Sequence, residues 1–139
     1  MFDASWLRNR GYHIVGDQAL HLPQDASRVS QHTQGSDEPE ATSLAKVRRF
    51  AKRHGYLTYH VFDSRGSECG FPDLVLVKSS RPSSTPRVGR LIFAECKSAR
   101  GKLTGKQHIW LDVLKRSVPG IEIYLWRPAD WPAIQELLR

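Results

Sequence analysis

Cysteine is scarce in this chain, with only Cys69 and Cys96 among 139 residues. Two thiols cannot build a disulfide framework or, by themselves, a structural zinc site, so each is expected to be a free, small side chain. Long apolar runs are missing too. Stretches such as Leu91-Ile92-Phe93-Ala94 last a few residues, against the roughly 20 that cross a bilayer, so no membrane partner is expected. No apolar leader follows Met1 and position 3 is already Asp, a pattern that predicts a cytoplasmic chain, in the host cytoplasm if it is viral.

What is present is an ordinary globular composition, 40% hydrophobic and 25% charged, with room for one domain and its core. The charge is unevenly divided. Of 21 basic and 14 acidic residues, three Arg and five acids fall in 1–39, leaving 18 basic against nine acidic, a net +9, in 40–139. An excess of that size spread through structured segments points to a polyanion, nucleic acid before a membrane surface.

Residues 1–39 show no sustained periodicity, which predicts an irregular N-terminal arm and linker ahead of a single domain over 40–139. From Glu40 onward Leu44, Val47, Phe50, Ala51 and His54 recur at helical spacing until Gly55 stops them. Residues 57–62 and 73–78 read as strands, and a connection at 79–89 with two Pro and four Ser is expected to join a hairpin to a third strand at 91–97. A helix over 104–117, a strand over 121–126 and a helix over 130–138 with Pro132 in its first turn complete the order α-β-β-β-α-β-α. The expected fold is α/β, a mixed central sheet flanked by helices.

Glu95 and Lys97 alternate onto one face of the third strand, about 7 Å apart along the chain. Alone, an E-x-K tripeptide is an ordinary surface ion pair. Asp73 adds weight, because Asp is a poor strand former and here follows Gly70-Phe71-Pro72 directly. If the two strands pair across the 79–89 connection, Asp73 and Glu95 meet at one end of the sheet. Converging carboxylates repel unless a cation joins them, and hard oxygen donors suit Mg²⁺ or Mn²⁺. On the second helix Gln107 shares a stripe with Trp110, Leu111 and Leu114, and also completes a capping box with Thr104.

Taken together, Gly70-Phe71-Pro72-Asp73-Leu74, the apolar strand ending in Glu95-Cys96-Lys97 and the helix with an early Gln107 resemble the PD-(D/E)xK nuclease superfamily, most closely its virus-type replication-repair nuclease (VRR-NUC) branch. The resemblance covers about 40–138. It implies a restriction-endonuclease-like α-β-β-β-α-β core and metal-dependent hydrolysis of DNA phosphodiesters. It further implies that Asp73, Glu95 and the Cys96 carbonyl hold a divalent ion, with Glu40 as the upstream acid, directly or through water. Glu38 is the competing candidate. Lys97 and Gln107 complete the catalytic set. Arg65, Arg100, Lys102 and Lys106 would touch the DNA backbone, whereas Arg48, Arg49 and Arg53 read as a solvated helix face. Branched DNA, such as a Holliday junction cut by a homodimer, is the implied substrate. The alternatives are a flap or fork nuclease and a non-catalytic DNA-binding module of the same fold. A zinc protein built on Cys69, Cys96 and a His is a further class.

Overall fold

The computed structural model describes residues 13–14, 38–61, 66–80 and 89–139. The amphipathic segment forms helix α1, Glu40–Arg53. Its first N–H groups, from Thr42 and Ser43, donate to the Pro39 carbonyl, and after His54 the chain reverses through Gly55 at φ +82°, a left-handed conformation that favours glycine. Strands β2 (Leu57–His60) and β3 (Leu74–Lys78) follow, then β4, Arg90–Cys96. The strand expected at 57–62 ends at His60, with Val61 already outside it and residue 62 outside the described residues.

Helix α2, Gly105–Ser117, carries the expected Thr104–Gln107 capping box in full. Strand β5, Glu122–Trp126, leads through a short 3₁₀ turn at Pro128–Asp130 into α3, Trp131–Leu138. The turn takes up the first residue of the helix expected at 130–138, because the buried Asp130 carboxylate accepts from the Arg127 N–H and closes a separate loop there.

These strands, with β1 at His13–Ile14, form one sheet in the order β1-β5-β4-β3-β2. β2, β3 and β4 pair antiparallel, while β4 and β5 pair parallel. The fifth strand is a correction to the irregular arm: His13–Ile14 forms β1, parallel to β5, with Ile14 opposite Leu125. Two residues of β structure in a polar arm leave too short an alternation to stand out in the sequence. The sheet is mixed, α/β and restriction-endonuclease-like, as expected.

Side-chain alternation divides the core into two layers. Leu74, Leu76, Ile92, Ala94, Cys96, Tyr124 and Trp126 pack with Val47 and Ala51 of α1 and Ile134 and Leu138 of α3. On the other face Ile123 and Leu125 pack with Leu111 of α2, joined by Phe93. Helices α1 and α3 therefore cover one face and α2 the other. Both α1 and α2 begin at the sheet end where β4 stops.

Candidate active site

Register fixes the first pair. Leu74 stands opposite Ala94, so one step further the chain sets Asp73 opposite Glu95, on the α2 face. Asp73 Oδ2 accepts from the Cys96 backbone N–H at 3.0 Å, which holds the carboxylate across the strand end. Glu95 is fully buried. Its Oε1 receives the Lys97 ammonium at 2.9 Å and a bond from the Gln107 amide. As a carboxylate, its buried Oε2 has no hydrogen-bond donor facing it among the described residues.

Burial pushes the Glu95 pKa up to about 8, and the Asp73 charge adds to that rise against the opposing pull of Lys97. Burial alone would lower the Lys97 pKa, but the bond to Glu95 and the charges of Glu95, Glu40 and Asp73 outweigh it and raise it. Lys97 is thus an ammonium. Both shifts are upward, so the Glu95 shift disfavours its charge while the Lys97 shift favours its own, and the excess negative charge beside Glu95 is what an added cation would relieve.

Gln107 reaches Glu95 because of Gly70. At φ +92° that residue lies so close to α2 that a Cβ would stand 2.6 Å from the Lys106 carbonyl carbon and 2.8 Å from the Gln107 nitrogen. Only glycine lets the loop before β3 touch the first turn of α2. The aromatic rings of Phe71, Phe93 and Trp110 close the same contact, with Phe71 centroids 6.0 and 5.1 Å from the other two. Gln107 Oε1 also accepts from the Thr104 N–H, so cap and site use opposite ends of one amide.

Glu40 comes to this end from the other face. Its Oε1 accepts from the Ser98 N–H at 3.0 Å, and its charge is felt by Cys96 and Lys97. Glu38 pairs instead with Lys46 at 3.7 Å. Among the described residues no three His, Cys, Asp or Glu side chains stand together as a metal cage, so the closely joined pair is Asp73 and Glu95, with Glu40 beside it. The Cys96 thiol is buried in the core and its pKa is driven upward, first by burial and then by the neighbouring carboxylates. That removes it as a thiolate ligand, while its carbonyl belongs to the strand end.

Arg100, Lys102 and Lys106 are exposed on the connection and first turn of α2; Arg65 lies outside the described residues. His60 bonds Arg48, and His108 is buried on α2 with its pKa lowered by burial. The sequence reading missed Arg127. Its guanidinium donates to the carbonyls of Ser98, Ala99 and Gly101, pinning the loop that carries Arg100. Its signal was only a lone cation after the last strand.

A family model of the VRR-NUC domain matches residues 17–129. The chain belongs to the VRR-NUC domain family. No curated protein and no solved structure matches it. The VRR-NUC domain is a nuclease-type domain acting on DNA, and the match spans Asp73, Glu95, Lys97 and Gln107 together with the sheet and helix that join them.

The site suits a hard divalent cation. Two carboxylates converge and one buried oxygen lacks a donor, a donor set that favours Mg²⁺ or Mn²⁺ over a softer metal.

Proposed function

We propose that this VRR-NUC domain is a divalent-metal-dependent endonuclease that hydrolyses phosphodiester bonds in branched DNA, with a Holliday junction as its substrate. The observation that carries the reading is the buried Glu95 carboxylate, which faces Asp73 and keeps Oε2 without a donor while Lys97 and Gln107 hold Oε1.

Asp73, Glu95 and the Cys96 carbonyl would hold one Mg²⁺, with Mn²⁺ as its substitute and Glu40 contributing directly or through water. Such an ion supplies Lewis-acid chemistry, lowering the pKa of water and neutralising charge on the phosphate. Gln107 fixes the Glu95 rotamer. Lys97, kept charged by its acidic neighbours, orients the attacking water or donates to the phosphate oxygens as their charge grows. Arg100, Lys102, Lys106 and Arg65 grip the backbone and read no bases.

The basic balance of 40–139 supports a DNA substrate. With few side chains left for base contacts, the shape and deformability of the DNA carry selectivity. The experiment is incubation with labelled linear, flap, fork and four-way DNA in Mg²⁺, Mn²⁺ or EDTA. Cutting of the four-way junction with either metal, none in EDTA and none by Asp73→Asn is expected. A preference for flaps or forks supports the repair-nuclease alternative. Binding without cutting in any metal supports the non-catalytic module.

A further inference from the structure

Outside the catalytic end, helix α1 presents Lys46, Arg49 and Arg53 at i, i+3 and i+7, a single stripe on its outer face. With Phe50 and Trp131 they line a groove of 190 Å³ between α1 and α3. The rings brace one another, Phe50 against Trp131 edge-on at 5.4 Å, and the Lys46 ammonium lies 4.5 Å over the Trp131 ring. Lys46 also meets Glu38 at 3.7 Å. Among the described residues no carboxylate pairs with Arg49 or Arg53, and both are exposed. Lys46, held over the aromatic floor and paired with Glu38, and the exposed Arg49 and Arg53 beside it form a basic row suited to phosphates.

Its position matters more than its charge. At 1.5 Å per residue the stripe starts about 9 Å along α1 from Glu40 and extends to about 20 Å. It runs away from the catalytic end on the face that α1 and α3 cover, whereas α2 and its first-turn cation Lys106 belong to the opposite face. The sheet stands between the two basic surfaces, and the nearer edge of each lies toward the end where Glu40 meets Ser98 and Gln107 meets Glu95. A straight duplex seated along one cannot follow the other. A nucleic acid touching both turns or divides at the catalytic end.

We infer that Lys46, Arg49 and Arg53 bind the phosphate backbone of a second DNA arm, opposite the arm gripped by Arg100, Lys102 and Lys106. This rests on the branched-DNA reading above, yet it is tested by binding rather than by cutting. The test compares the full chain carrying Asp73→Asn with the same chain also carrying Arg49→Gln and Arg53→Gln, on a four-way junction and on a linear duplex of equal length, across a salt series. Both sites are exposed, and matching thermal melts verify folding.

The expected result is a roughly 10-fold weaker junction complex whose slope of log K against log salt falls by about 1.8, two contacts at about 0.9 each. The linear duplex keeps its affinity within about twofold. An unchanged junction slope makes the stripe a solvated helix face and overturns the inference. Equal losses on both substrates also overturn it, because they mark a general contact with one duplex. If the wild-type chain cuts no DNA at all, the nuclease reading fails while this binding comparison still reports on the arm.

Discussion

Glu95 is where stability and function oppose each other. The strand buries a carboxylate, sets Asp73 against it and leaves one oxygen without a donor, an arrangement unfavourable to the fold and favourable to a cation. Glu95→Gln keeps the shape and removes the repulsion, so the metal-free variant is expected to melt at the same temperature as the wild type or higher. Its cleavage should fall by roughly 100-fold or more. A lower melting temperature with cleavage retained would contradict that role. Gln107→Ala should behave differently, because it loses the cap as well as the contact to Glu95. It is expected to cost about 1 kcal/mol in chemical denaturation and to lower kcat more than KM. The candidate residues were legible in the sequence because an Asp at a strand entrance is a costly choice and because the Pro-Asp, E-x-K and early Gln motifs occur together in one order. Arg127 was not, since a cation that binds backbone carbonyls leaves no pattern in the residues it holds.

Elements were legible where one face is apolar. α1, β3, β4 and α2 were expected within a residue or two, and the expected antiparallel pairing of the two strands sets Asp73 and Glu95 at one end of the sheet. The turn at Pro128–Asp130 was hidden because Asp at a helix start looks like a cap. In fact its side chain turns back to the Arg127 N–H at 2.8 Å, and its carboxyl is pushed up to about 6, first by burial and against the pull of Arg127. A carboxyl raised above its unfolded value of about 3.9 favours the fold while protonated. That contribution is complete below about pH 3.9, declines as pH rises through about 6 and is absent above it. Asp130→Asn keeps an acceptor without the charge, so between pH 4 and 7 the variant should lose on the order of 3 kcal/mol less than the wild type. Urea melts at pH 4, 5, 6 and 7 measure this, and parallel curves for the two proteins would exclude it. Arg127→Ala belongs to the same scale. It frees the loop at residues 98–101, and faster hydrogen exchange at Ser98 and Gly101 should accompany weaker DNA binding.

At the scale of the whole molecule the described residues present one candidate active site, and symmetric cutting of the proposed four-way junction requires two such sites related by a two-fold axis. Light scattering of the junction complex should therefore give two chains of 15.8 kDa each, and mapped nicks should fall symmetrically. One chain nicking one strand would favour the flap or fork alternative. Arg100→Ala with Lys102→Ala should flatten the salt dependence of binding by about 1.8 on any duplex, and an unchanged slope would place the DNA path elsewhere. Charge asymmetry made a polyanion partner legible, but not the placement of Lys106 and the α1 cations on opposite faces, because sequence does not reveal which face of the sheet a helix covers.

Strand β1 sets a boundary on how the chain can be shortened. His13–Ile14 pairs with β5 and precedes the first residue matched by the family model. A version begun at residue 17 would strip the outer partner from β5 and leave its row of N–H and C=O groups open, an invitation to self-association. The opened groove accepts a parallel strand, and the nearest source is the same segment of a full-length neighbour. An intact chain that lends this segment exposes its own β5 in turn, so mixtures of truncated and intact chains should grow into larger species than intact chains alone, which light scattering would measure.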